Sequence, residues 1–534
     1  MSRVFYKNAR VFTGESETDF VTAFAIENGK FVWVGDSSEV DCEDAIDMHG
    51  ELILPGFIDA HTHPTYISML VDAIPCTVPV VNSIEEMIAA LRKHPNFGKG
   101  ENAWIEGWGY DESKLAEGRT PTTEDLDKVS TTQPVYVLRS DCHSGICNSR
   151  ALEIAGITKD TPNPPGAEYG RYPDGRPNGI LIEHGANQTV MQAKGSSGFE
   201  AEVEKLVRTS EHLSERGIVA CADMFCIPAE FEHLDLYREA EKLGYKQLTQ
   251  VFYDFASLEQ YPIKELSQDR KNGRTFVGGL KLFMDGSMSN RTAYMHEPYP
   301  DTTDNFGMRT ASDKIMQEAL DFARENQIQI AFHGMGDAAI ETIIDFYGDV
   351  EPWMGQYPSV RIEHATLLDP RLIEKMNSKR MKFGVVSNID FFFAEWDSYS
   401  VNLSPEQYAR TYMVKEIYRG IEASAMSSDC PATTWADPDN VFMSIKAAVT
   451  RRAYNGEDIV QDQKITVPQA LLMYTGKAHL VGIMPTVGKI AVGYEASFIT
   501  LSHDIFSVDP DFIDQIKVAK TWIQGELVWE KDKK

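Results

Sequence analysis

Eight short β-rich runs alternating with helical stretches, framed by two strand-rich termini, predict an α/β chain: a (β/α)8 TIM-like barrel with a small β-sandwich built from both ends. A third observation is one segment between the first and second runs, far longer than an ordinary βα crossover, which predicts a large insertion after barrel strand 1. The expected organisation is a composite β domain of residues 1–55 plus 487–534, a barrel over 56–486, and an inserted substrate-cap subdomain over 65–216.

The N-terminal part alternates as short antiparallel strands do, in "VFYKNARVFTG" and "TAFAIENGKFVWVGD", with Asn28-Gly29 as a hairpin turn. The C-terminal part repeats the style in "VGKIAVGYEASFITLS" and "VAKTWIQGELVWEK", turning at Gln524-Gly525. Between them the eight runs are "LILPGFIDAH", "GIVACADMF", "QLTQVFYDF", "VGGLKLFMDG", "IQIAFHGMGD", "SVRIEHATLL", "MKFGVVSNID" and "EASAMSSDCP". Helical periodicity separates them, as in "FEAEVEKLVRTSEHLSERG" and "SDKIMQEALDFARENQ". Within the insertion, "TPNPPGAEYGRYPDGRPNG" is too rich in Pro and Gly to form a long helix.

Composition bounds the partners. With 80 acidic against 51 basic residues the net charge is -29, a surface that repels nucleic-acid phosphates and anionic lipid, so neither a nucleic acid nor a membrane is expected as partner. The opening "MSRVFYKNARVFTG" carries no apolar signal core, and no run reaches the length of a membrane span, so a cytoplasmic protein is expected. Seven cysteines without a CxxC pair are expected as buried free thiols in a reducing compartment.

The chemistry gathers at the strand ends. In "ELILPGFIDAHTHP" the period of two puts Asp59, His61 and His63 on one face and Ala60 and Thr62 on the other, so two imidazoles can grip one ion. Reading the other runs to their carboxyl ends adds Lys281, His333, His364 and Asp429. Each has a structural alternative: a histidine bonded to backbone, a lysine paired with Asp285, an aspartate capping the turn before Pro431. Together, at one end of one barrel, imidazoles and a carboxylate are the ligand set of a Zn2+-like ion with an open position for water. The lysine is the odd member, because an ammonium beside cations is repelled. As a carbamate formed with CO2 it becomes an anion able to bridge two ions, which argues for a binuclear site.

"PGFIDAHTH", the strand lysine of "KLFMDGSMSNRT", the separate His333 and His364, and "SDCP" together resemble the amidohydrolase superfamily, in particular its family 3 branch, which includes N-substituted formamide deformylases. The resemblance spans nearly the whole chain, including "WGYDE" and "DCHSGICNSRAL"; "HGMGD" departs from the branch's "HAIGD" but keeps His333. It implies that His61 and His63 bind one metal, that a carbamylated Lys281 bridges, that His333 and His364 bind the second, and that Asp429 is ligand and proton shuttle. The implied ions are two Zn2+, with Mn2+, Fe2+ or Co2+ as alternatives. The implied reaction is hydrolysis of a non-peptide C–N bond (amide, N-formyl or cyclic amide) by a metal-activated hydroxide, with Asp429, His364 and His143 as the catalytic set. The insertion would supply specificity through Trp108, Tyr110, Asp111 and His143, and Arg291 would bind a substrate carboxylate. The alternatives are subdomain core for Trp108 and Tyr110, and loop support for Arg291. At the level of the whole protein they are a mononuclear deaminase and a non-catalytic regulatory barrel. Many members of the superfamily pair as homodimers.

Overall fold

A computed structural model describes residues 3–140, 142, 144–195, 198–263, 266 and 273–532. Its centre is a parallel sheet of eight strands, β1 (Phe57–Thr62), β2 (Ile218–Cys226), β3 (Leu248–Asp254), β4 (Thr275–Phe283), β5 (Gln329–Gly334), β6 (Val360–His364), β7 (Phe383–Ser387) and β8 (Ser424–Met426). They lie in chain order, each bonded to the next, forming a nearly closed barrel. Each overlaps one of the eight expected runs; β1 and β2 pass the ends of theirs by one residue, at Thr62 and Cys226, and β4 begins two residues early, at Thr275. The strands are buried on both faces because helices pack outside, which is why the runs read as continuously apolar.

Where β8 meets β1 the closure relies on side chains. Asp59 of β1 accepts from the Ser428 hydroxyl at 2.6 Å and its backbone N–H at 3.2 Å. Nearby backbone groups turn to a third segment: Ile58 N donates to Tyr474 O at 2.8 Å and Met426 N to Met473 O at 3.0 Å. Full burial pushes the Asp59 carboxyl up to about 7, against the opposing pull of those Ser428 hydrogen bonds.

The N-terminal part alone builds one further sheet and joins the C-terminal part in a second. One orders Lys30–Gly35, Ala23–Glu27, Val4–Lys7 and Ile46–Asp47; the other orders Glu526–Glu530, Val518–Ile523, Phe498–Leu501, Leu52–Pro55, Arg10–Phe12 and Phe20–Val21. They share an aromatic core in which Phe498 stacks on Trp522 with centroids 4.5 Å apart and packs with Phe24 and Phe31. Both expected hairpins form, with positive φ at Asn28 and Gly29 and again at Gln524 and Gly525, the conformation a two-residue turn of matching twist requires.

The first expected run is two strands rather than one. Leu52–Pro55 pairs with Phe498–Leu501 in the terminal sheet, and β1 begins after Gly56. Gly56 brings the backbone against β2: a Cβ there would lie 2.3 Å from Val219 Cγ1 and 2.6 Å from its Cγ2. Val219 is fully buried and stiff at χ1, so it cannot yield.

By contact, residues 64–205 and 429–438 form a second compact unit. The division at Lys205 falls inside the helix Phe199–Glu215, short of the expected end of the insertion at 216. Its six-stranded sheet orders Glu168–Arg171, Pro177–Ile182, Gly145–Cys147, Val135–Arg139, Ile105–Tyr110 and Ile74–Pro75. The Pro/Gly-rich stretch supplies its two outer antiparallel strands. All seven cysteines are free thiols, but Cys42 and Cys142 are only half-buried. Among the described residues no helix is long and apolar enough to cross a membrane.

Gly56→Ala is expected to lower unfolding free energy by about 1–3 kcal/mol, an overpacking cost. In urea denaturation, Val219→Ala added to it should recover part of the loss. Strict additivity of the two substitutions would contradict this contact.

Candidate metal centre

Four histidine rings run in a row at the carboxyl ends of β1, β5 and β6. Ring centroids are 5.6 Å apart for His63 and His61, 4.9 Å for His61 and His364, and 4.4 Å for His364 and His333. His61 and His364 are buried; His63 and His333 are half-buried.

Each ring has one nitrogen committed to a partner, and the partner decides where the lone pair lies. His63 Nδ1 meets the Met224 carbonyl at 2.6 Å, and a carbonyl only accepts, so Nδ1 carries the proton and Nε2 the lone pair. His333 is reversed: its Nε2 donates to Gly286 O at 3.0 Å, leaving the lone pair on Nδ1. His61 Nδ1 donates to Glu363 Oε2 at 2.7 Å. His364 Nδ1 lies 3.0 Å from Asn388 Oδ1, and the Asn388 amide is oriented by donating to Ser427 O at 3.1 Å, so His364 also presents Nε2. Such outer partners are what hold metal-binding imidazoles in one tautomer.

Glu363 is itself gripped. Arg361 donates to it through Nε at 2.8 Å and Nη2 at 3.0 Å, and reaches the Ala60 carbonyl at 2.7 Å, with both side chains fully buried. Burial alone would raise the Glu363 carboxyl; the Arg361 charge and His61 outweigh it and hold the group at about 2. Glu363 and His364 are adjacent in β6, so strand alternation would send them to opposite faces. His364 escapes the alternation through a left-handed backbone, φ +67.

Lys281 is buried in β4, with Nζ 5.4 Å from the Phe283 ring centroid. Asp285 accepts three backbone N–H groups, from Gly336 at 2.8 Å, Tyr294 at 2.9 Å and Met335 at 3.0 Å. Burial still pushes its carboxyl up to about 7. The carboxylate thus anchors the loops after β4 and β5. Asp429, one peptide bond past Ser428, is buried with φ +50, and its ligand atom and those of His61 and His63 lie within 4.8 Å of one another. The donor set fits a divalent cation: imidazoles each oriented by an outer partner, and a carboxylate.

Of the remaining sequence candidates, those among the described residues have contacts of their own. Tyr110 belongs to the hydrophobic core of the second unit, beside Cys76, Met87 and Leu91. Trp108 is buried in the same strand. Asp111 caps the following turn by accepting from Ser113 N at 2.9 Å and Ser113 Oγ at 2.7 Å. Arg291 donates to Asn402 Oδ1 at 2.8 Å and to the Val401 carbonyl at 3.4 Å, contacts that hold its loop. His143 lies outside the described residues. Sequence reasoning passed over Arg361, Glu363 and Asn388. Two opposite charges at a spacing of two within the apolar strand "VRIEH" were the available signal.

Glu363→Gln should lower metal affinity at least about tenfold and stability by about 3–5 kcal/mol, because Arg361 is left as an uncompensated buried charge. Titration against a competing chelator and urea unfolding measure the two effects. Unchanged affinity would remove Glu363 from the site.

Residues 44–529 match the model of the amidohydrolase family. The chain is 25% identical to N-substituted formamide deformylase of Arthrobacter pascens and 25% identical to the putative amidohydrolase YtcJ of Bacillus subtilis, each alignment covering 98% of both proteins. Its fold is similar to that of an uncharacterized metal-dependent hydrolase from Pyrococcus horikoshii, with a TM-score of 0.75 at 23% identity over 96% of this chain and 99% of the other. With a family match over nearly its full length and a histidine cluster at the barrel's strand ends, the chain belongs to the amidohydrolase family.

Proposed function

We propose that this metal-dependent hydrolase cleaves a C–N bond of a small molecule, of the amide, N-formyl or cyclic amide type, at a centre of two divalent ions. The observation that carries the reading is the row of four histidines, each with its tautomer set by a fixed partner. His61 and His63 would hold one ion, His333 and His364 the second, and Asp429 would add its carboxylate to the first. Zn2+ suits imidazole and carboxylate donors.

Lys281 would stand between them as a carbamate. Its burial supports this, because a buried ammonium would be both desolvated and repelled by neighbouring ions, whereas the desolvation of a carbamate anion would be offset by its attraction to them. A bound ion of this kind supplies Lewis acidity, polarising a carbonyl and lowering the pKa of water toward neutrality. The chain supplies the proton path: an Asp429 carboxylate oxygen takes the proton of the attacking water and delivers it to the leaving nitrogen. A C–N bond suits that arrangement, since an amide nitrogen leaves only when protonated. The relative named N-substituted formamide deformylase supports N-formyl compounds as the first class to test.

A second reading, a one-metal deaminase, draws on the close grouping of His61, His63 and Asp429. Under it Lys281 stays an amine.

Dialysis against a chelator is expected to abolish hydrolysis across a screen of N-formyl amines, N-acyl amino acids and cyclic amides, and added Zn2+ or Mn2+ to restore it. Full activity after exhaustive removal would refute metal dependence. Asp429→Asn should fold normally by circular dichroism yet lose turnover by about a hundredfold or more. Turnover near that of the parent protein would take the proton from Asp429.

A further inference from the structure

Two phenylalanines stand beside the histidine row without any part in holding metal. Phe283 ends β4, is 38% exposed, and pairs in register with His333, the ring centroids 5.2 Å apart. The Phe225 ring meets it edge-on at 5.2 Å and 89°. Phe225 directly follows Met224, whose carbonyl accepts from His63, in the part of β2 where the register with β3 shifts between Asp223 and Cys226. The pair therefore touches one end of the histidine row directly and the other through a neighbouring peptide.

A single exposed aromatic is ordinary on a protein surface. These two differ in how they are held. Phe225 has φ +62, a left-handed backbone that bulky residues rarely adopt and that concentrates at ligand sites. The backbone around Phe283 is pinned on both sides: Thr310 Oγ1 donates to Phe283 O at 2.7 Å, Thr310 N to Met284 O at 2.9 Å, and Met284 N to His333 O at 2.9 Å. A rigid backbone that keeps an aromatic ring in water, next to a chemically equipped cluster, has the construction of a ligand wall.

We propose that Phe225 and Phe283 form an apolar subsite that receives a flat, uncharged hydrocarbon group, such as an aryl ring, carried by the substrate next to its scissile bond. The inference rests on the hydrolase reading above and names its substrate class. Edge-to-face packing suits a third aromatic ring against the pair. Neither phenylalanine offers a hydrogen bond, so a charged substituent would be desolvated there without compensation.

The test compares kcat/KM for the N-formyl derivatives of 2-phenylethylamine, n-butylamine and β-alanine on the metal-loaded full chain. The parent protein should favour the phenyl compound over the butyl compound at least about tenfold and over the carboxylate by more. In Phe283→Ala and in Phe225→Gly, whose glycine accepts the positive φ, the phenyl-to-butyl ratio should collapse toward one while metal content per chain stays constant. Calorimetric binding of 2-phenylethylamine against n-butylamine reads the same subsite without chemistry. If no formamide is hydrolysed but the phenyl amine binds more tightly and loses that advantage in both variants, the subsite stands and the hydrolytic reading falls. Equal binding of the two amines, or a phenyl preference that survives both substitutions, overturns the subsite.

Discussion

The site depends on an ion pair sealed inside the barrel. Arg361 and Glu363 are both fully buried, and their two-point hydrogen bonding offsets the desolvation of each charge. From that pair the order spreads outward. Glu363 sets the ring of His61, Arg361 ties β6 to the Ala60 carbonyl of β1, and the next residue of β6 is His364 itself. One strand thereby orients an imidazole on β1 and contributes another.

Regular strand geometry cannot build this arrangement alone. A pleated strand offers every second residue to the barrel interior, while β6 directs Glu363 and His364 to the same cluster in succession. The exception is made by a left-handed backbone at His364, and similar departures occur at Phe225 after the His63-binding carbonyl and at Asp429. Conformations of this kind persist where surrounding contacts over-determine them, and here those contacts are the outer partners of the histidines. The seam between β8 and β1 follows the same economy, with Asp59 and Ser428 joining across it through a side chain.

What was legible in the sequence was local. Asn28-Gly29 and Gln524-Gly525 carry their own turn geometry, and the apolar runs mark buried strands whatever their order. The four histidines were legible because strand ends in such a barrel converge. Glu363, Asn388 and the Met224 carbonyl were not, because each acts through a partner on another strand: 302 positions separate His61 from Glu363. The break at Gly56 was hidden for a related reason, since its cause is the Val219 side chain of β2. Tyr110 shows the opposite limit, an aromatic whose sequence neighbourhood suggested a binding surface and whose packing places it in a core.

We propose that the histidine row and Lys281 together hold two ions. Crystals grown with Zn2+ and measured by anomalous diffraction at the zinc edge should then show two peaks, one at His61 and His63 and one at His333 and His364, with extra density on Lys281 Nζ between them. A single peak with an unmodified lysine would contradict it.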